Sequence, residues 1–146
     1  MWRVYRHIWF IMSSMSTVIK SDDQWRDELS EEQYQVLRKK GTETPFTGRF
    51  VFENGVGTYV CAGCGIKLFS SSTKFDAHCG WPSFYDALPG SVEFHKDTTH
   101  GMIRTEVSCV RCGGHLGHIF DDAPDQPGGK RYCINSVSLD FISKKP

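Results

Sequence analysis

The spacing of apolar residues changes period along the chain. From Ser21 to Gly41 the pattern is helical: Trp25 and Leu29 share one face, as do Tyr34 and Leu37. Two capping signals sit before these faces. Ser21 with Gln24, and Ser30 with Gln33, pair a hydroxyl with an amide side chain three residues on, which satisfies orphan N–H groups of a first helical turn. Lys39 and Lys40 suit a last turn, and Gly41 suits a stop. Two short helices are expected, over residues 22–29 and 31–40, as a scaffold over a sheet. Past Thr44 the pattern turns to short β-branched and aromatic runs broken by Gly, Pro, Asn and Asp. Residues 50–52 and 57–60 are expected as a hairpin turning at 53–55, followed by strands at 67–69, 91–95, 103–108, 117–120 and 136–142. Residues 122–129 are rich in breakers and are expected as a loop.

A chain of 146 residues fits one domain with a real core. The formal net charge is zero, so binding to nucleic acid driven by charge is not indicated. No apolar run reaches the roughly 18–20 residues needed to span a bilayer. Residues 1–20 lack acids and carry Arg3, Arg6, His7 and Lys20 among aromatic and aliphatic side chains. They are expected as a leader or targeting segment, with the domain over 21–146.

The cysteines change the picture most. Four of the six form two pairs, Cys61-Ala-Gly-Cys64-Gly and Cys109-Val-Arg-Cys112-Gly-Gly. Each pair can offer two sulfurs to one ion while the glycines allow the tight turn, and together they complete a tetrahedral zinc site. A four-cysteine site has no open position, so it is structural. The rival reading, two redox-active pairs, needs a helix after the first cysteine, and Gly65 and Gly113 argue against that. Zinc and a working thiol fit a reducing compartment, cytosol or mitochondrion.

Cys79 and Cys133 remain. Lys130 and Arg131 stand beside Cys133 and favour its thiolate, which is the nucleophile in cysteine chemistry. Cys79 sits among aromatics in Phe75-Asp76-Ala77-His78-Cys79-Gly80-Trp81-Pro82-Ser83-Phe84, and histidines cluster in His115-Leu116-Gly117-His118. Each fragment alone has a bland reading: a small buried hydrophobe, core aromatics, hydrogen-bonded structural histidines. The residues alone therefore lead to a zinc-braced thiol enzyme.

In order, these blocks resemble one family. Cys-x-x-Cys, Gly80-Trp81-Pro82-Ser83-Phe84, Arg104-Thr105-Glu106-Val107, Cys-x-x-Cys-Gly-Gly-His115-Leu116-Gly117-His118 and Arg131-Tyr132-Cys133-Ile134-Asn135 are similar to those of methionine sulfoxide reductase B. The resemblance runs from about Trp25 to Phe141. It implies a mainly β fold of two small antiparallel sheets braced by the metal, with short N-terminal helices. It implies reduction of methionine-R-sulfoxide, mostly in proteins, with thioredoxin as reductant and a monomeric enzyme. Cys133 is then the nucleophile, left as a sulfenic acid, and Cys79 the resolving thiol, reached by movement of its loop. His115 and His118 supply or relay the proton, Arg131 favours the thiolate, and Asn135 holds the substrate oxygen. Trp81 and Phe84 go to the substrate pocket, Trp81 as its wall and Phe84, like Phe120, as support. Two other classes stand beside this one. A zinc-stabilised binding module would carry an aromatic cage in place of Arg131-Tyr132-Cys133. A redox sensor would switch its two loose cysteines without substrate turnover.

Overall fold

A computed structural model of the protein describes residues 17–144. Two helices come first, α1 (Asp22–Glu28) and α2 (Glu31–Leu37). Both capping boxes form, with Ser21 and Gln24, and Ser30 and Gln33, bonding reciprocally. Trp25, Leu29, Tyr34 and Leu37 are buried. The second helix stops earlier than expected. Lys40, not Gly41, takes the left-handed conformation (φ 59°), and Gly41 N–H reaches back to the Gln35 carbonyl at 2.9 Å. A Cβ on Gly41 would lie 3.0 Å from that oxygen, so glycine is there for close approach. Among the described residues no helix is long and apolar enough to cross a membrane.

Nine strands follow: β1 (Gly57–Cys61), β2 (Lys67–Ser70), β3 (Lys74–Phe75), β4 (Ser83–Phe84), β5 (Val92–Asp97), β6 (Arg104–Cys109), β7 (His115–Phe120), β8 (Arg131–Ile134) and β9 (Leu139–Ser143). They form two antiparallel sheets, one of order β2-β1-β9 and one of order β3-β4-β8-β7-β6-β5. The mainly β fold of two small antiparallel sheets with short N-terminal helices is the one expected. Residues 50–52 are not a strand. Phe50 N–H binds Ser136 Oγ at 3.3 Å, its ring meets Tyr59 edge-on at 5.6 Å, and Phe52 is 73% exposed. Anchoring by one buried ring replaces the ladder that a hairpin would need. Residues 136–138 are a 3-10 turn, so the last strand begins at Leu139. The leader expected over 1–20 lies largely outside the described residues. Val18, within that range, already donates its N–H to the Arg111 carbonyl at 2.6 Å.

The core lies between the sheets and is aromatic. Phe69 stacks on Phe84 with ring centroids 4.4 Å apart, Tyr59 meets Phe84 edge-on at 5.1 Å, and Phe69 meets Tyr132 at 5.7 Å. Leu68, Val107, Leu116, Ile134 and Leu139 fill the remaining space. Phe84 is 0% exposed, its ring bridging β1 and β2 of one sheet to its own strand in the other. Its assignment to the substrate pocket is therefore corrected: on a two-residue strand its ring points to the inter-sheet face. Phe84→Ala should destabilise the fold by about 3–5 kcal/mol, from lost burial plus a residual cavity. Denaturant unfolding checks this. A loss below about 1 kcal/mol would mean that the sheets are held together elsewhere.

Candidate active site

The site is built on one cross-strand row. Phe75 pairs with Ser83, Ser83 with Cys133, Cys133 with His118, His118 with Glu106 and Glu106 with His95, so one line crosses all six strands of the larger sheet. Residues directly opposite on antiparallel strands share a face. The nucleophile candidate and His118 are thereby neighbours by register. His115 lies three residues before His118, and in a regular strand the two would face opposite sides. A register shift in the β6–β7 pairing pairs Val107 with Gly117 and Ser108 with His115, leaving Leu116 as the extra residue. The bulge brings both rings to one side, with centroids 5.5 Å apart. Gly117 is required here, since a Cβ would sit 2.0 Å from the Cys133 carbonyl oxygen.

A pocket of about 180 Å³ opens over this row. Cys79, Trp81, His118, Arg131, Cys133 and Asn135 line it, with Thr42, Arg104, Gly117 and Phe120. The structure thus brings together six of the eight residues expected in the site. Phe120, expected as support, is part of the wall. His115 is not: it is 3% exposed and its Nδ1–H donates to Glu106 Oε2 at 2.7 Å. Burial holds the His115 pKa below the ordinary imidazole value, against the pull of Glu106. Burial works to raise the Glu106 pKa, but the His115 hydrogen bond and the nearby Lys40 ammonium prevail, so its pKa is lowered. His115 is a neutral donor to a buried carboxylate, a support for the site and not a contact within it.

The remaining side chains are held. Trp81 Nε1–H donates to the Glu43 carbonyl at 3.0 Å, and Glu43 N–H donates to Asn135 Oδ1 at 3.0 Å. Asn135 Nδ2 donates to the Leu116 carbonyl at 3.0 Å, which leaves one amide hydrogen for the pocket. Glu43 therefore positions two pocket residues through its backbone. No motif in the sequence marked it, because a backbone group carries no side-chain signal. Arg131 clasps Asp122 with Nε and Nη2, each at 2.9 Å. The fork is bidentate, so much of the guanidinium charge is already balanced.

Cys79 Sγ lies 3.3 Å from Ser83 Oγ, and Ser83 is the cross-strand partner of Cys133. Both sulfurs line the same pocket. Cys79 is brought down to about 5, first by the Cys133 thiol and then, against burial, by Ser83, the Trp81 backbone and Arg131. Cys133 is pushed up by Cys79 and by burial, with Arg131 opposing. Of the two thiols, Cys79 is thus the more easily ionised.

Away from the pocket, Cys61, Cys64, Cys109 and Cys112 converge, all four Sγ atoms within 4.8 Å of one another. Cys61 and Cys112 stand 3.7 Å apart, and Cys64 and Cys109 stand 3.5 Å apart. Four sulfurs at about 2.3 Å from a tetrahedral ion would be about 3.8 Å apart, so the cluster fits one metal ion. The two knuckles are built alike. Gly65 N–H binds the Cys61 carbonyl at 2.8 Å and Gly113 N–H the Cys109 carbonyl at 2.9 Å, and both glycines have φ near the left-handed region (83° and 73°).

Fold and site together fit an oxidoreductase with two free thiols in its pocket. The SelR domain model matches residues 29–143. The chain belongs to this family, that of the B-type methionine sulfoxide reductases. It is 56% identical over 125 residues to "Peptide methionine sulfoxide reductase MsrB" of Leifsonia xyli subsp. xyli, covering 85% of this chain and 90% of the relative. Over 128 residues it is 58% identical to the protein of the same name from Bradyrhizobium diazoefficiens, covering 87% and 91%. A third, from Leptospira interrogans, is 57% identical over 125 residues, covering 85% and 95%.

Two outcomes are expected. Cys109→Ser should lose the bound ion and a large part of the fold's marginal stability, read by metal analysis and denaturant unfolding. Full metal content and unchanged stability would remove the cluster from that role. Alkylation by iodoacetamide should rise with pH through about 5 and already be near its plateau at neutral pH, because the Cys79–Cys133 pair holds a thiolate there. Mass spectrometry of the alkylated peptides checks this; a rise only near the ordinary thiol value of about 8.5 would contradict the lowered Cys79 value.

Proposed function

We propose that the protein reduces methionine-R-sulfoxide, mostly in polypeptides, to methionine through a sulfenic acid on Cys133 and a Cys79–Cys133 disulfide. The observation that carries this is the pair of free thiols that line one apolar-walled pocket with His118. The names of the similar proteins point to the same reaction. That the R epimer is the substrate is what the family resemblance implies.

The chemistry follows from the row. Cys133 reacts as its thiolate, which the Arg131 guanidinium favours. Cys133 attacks the sulfoxide sulfur while His118 gives a proton to the sulfoxide oxygen, which is the step that makes a sulfoxide a competent electrophile. The oxygen ends on Cys133 as S–OH, and methionine leaves as the thioether. Trp81 and Phe120 offer the apolar wall for the S-methyl group, and the free amide hydrogen of Asn135 faces the oxygen. Cys79 then attacks the Cys133 sulfur, the S–O bond breaks, the oxygen leaves as water and a disulfide forms. A dithiol protein of the thioredoxin type returns both thiols by exchange.

The four-cysteine cluster takes zinc, the ion that tetrahedral thiolate sites suit. With no open position it supplies folding energy and no chemistry at the pocket. The protein works as a monomer in a reducing compartment, cytosol or mitochondrion.

The test uses separate R and S epimers of a sulfoxide-containing peptide with thioredoxin-coupled reductant consumption. Turnover should be confined to the R epimer and absent in Cys133→Ser. Cys79→Ser should release a single methionine per chain and then stall. Turnover on neither epimer by folded, metal-loaded protein would overturn the reading, and unchanged steady-state turnover in Cys79→Ser would give the resolving role to another group.

A further inference from the structure

His118 is held from behind by a residue that no motif in the sequence marked. Asp97 is the last residue of β5, two strands away from β7 in the larger sheet. Its Oδ2 accepts from His118 Nε2 at 2.7 Å. Its Oδ1 accepts from the Thr99 N–H at 2.9 Å and the Thr99 hydroxyl at 2.7 Å. Arg104, its cross-strand partner, reaches Oδ2 with Nη2 at 3.4 Å. An Asp two residues before a bonded N–H is an ordinary turn former. Here one oxygen makes the turn and the other is left for the imidazole. The Thr99 hydrogen bond and then the His118 ring hold the Asp97 carboxyl well below the usual carboxylate range, against burial. An ionised carboxylate only accepts, so Nε2 of His118 must carry the proton.

The two edges of the ring then have different surroundings. His118 lines the pocket that holds Cys133, and it also lines a second cavity of about 540 Å³ together with Asp97. Asp97 does not reach the first pocket. Among the described residues Nδ1 has no hydrogen-bond partner, and it is not one of the sealed, unsatisfied polar atoms. The other charged or titratable neighbours of the ring are His115, at 5.5 Å between centroids, the cross-strand residues Cys133 and Glu106, and Arg104, which lines both cavities. Of these, none is bonded to an imidazole nitrogen of His118.

We infer that Asp97 is a positioning residue for the reduction step: with Thr99 and Arg104 it locks the ring of His118, fixes the proton on Nε2, and leaves Nδ1 as the nitrogen that exchanges a proton in the pocket. The inference rests on the reductase reading for its kinetic arm. Its tautomer arm stands alone. When His118 delivers a proton, it does so from Nδ1–H of the imidazolium and returns to the Nε2–H neutral form. The bond to Asp97 stays in place throughout, so ring orientation is kept between turnovers. The polar second cavity, lined also by Lys39, Lys96 and His100, brings solvent to the Asp97 side of the ring.

The experiment compares wild type, Asp97→Asn and Thr99→Val. Long-range proton–nitrogen NMR of the imidazole rings reads the His118 tautomer. Rapid-quench single turnover on an R-sulfoxide peptide reads methionine release. Iodoacetamide reactivity at neutral pH reads the integrity of the thiol pair. Wild type should show the Nε2–H tautomer, and Asp97→Asn should mix or invert it. Release in Asp97→Asn should slow by roughly ten- to a hundredfold with KM little changed, the scale of losing an orienting partner of a histidine. Thr99→Val, which keeps Asp97, should keep the tautomer and slow release less. An unchanged tautomer in Asp97→Asn, or a rate within about twofold of wild type, overturns the inference. Slowing matched by an equal loss of thiol reactivity also overturns it, since Asp97 would then be only structural. If wild type itself releases no methionine, the reductase reading fails, and the tautomer result still decides the Asp97 assignment.

Discussion

The four-sulfur cluster sets the geometry of everything downstream of it. One pair of sulfurs ends β1 in the smaller sheet, and the other ends β6 in the larger, so the cluster fastens the two sheets at one point. Cys112 is followed directly by two glycines and then His115, the first residue of β7. The second knuckle thus decides where β7 starts. The bulge at Leu116 then decides which way His118 faces, and Gly117 decides how closely β8 approaches. The helices serve the same point. Trp25 packs on Gly63 of the first knuckle, and Arg38 stacks on Trp25 at 4.6 Å while donating to the Cys112 carbonyl at 2.8 Å. A small chain with a modest core gains by closing a long loop in this way, since the closure entropy is met once, by strong bonds.

Much of this was legible in the sequence, for reasons that differ by element. The helix starts were, because a capping box is a local device that needs no tertiary partner, and both Ser–Gln pairs formed. The two Cys-x-x-Cys knuckles were, because the chemistry of the ligand is carried by residue type and spacing. The short strands β3, β4 and β8 were not. Two of them are two residues long, and they exist only through pairing with chain distant in sequence. Residues 50–52 misled because a buried aromatic flanked by Val and Phe looks like a strand, while Phe50 in fact anchors turns. At the site, Cys79, Cys133, Trp81, Arg131, Asn135 and His118 converge as their motifs suggested. His115 and Phe84 do not reach the pocket. A three-residue offset says nothing about the facing of two side chains unless the bulge is known, and the bulge is a pairing property.

The charges beside the sulfurs are arranged differently from what neighbouring letters imply. Arg131 adjoins Cys133 in sequence, yet both arms of its fork go to Asp122. A paired guanidinium still favours a thiolate, but less than a free one would. The stronger influence on each sulfur is the other sulfur. The electrostatics at the row are thus set across strands more than along the sequence.

The order of residues along the row also orders the events. Ser83 and Cys79 flank Cys133 on one side, and His118 flanks it on the other. The proposed resolving thiol and the proposed proton donor therefore stand on opposite sides of Cys133, and Trp81 and Phe120 line the pocket above the row. Had Cys79 and His118 stood on the same side, each would block the other's approach to the oxygen once it was transferred to sulfur. Antiparallel register separates them by one strand on each side of β8, so the proposed reaction can use Cys133 first as nucleophile and then as the centre under attack without either partner crossing it.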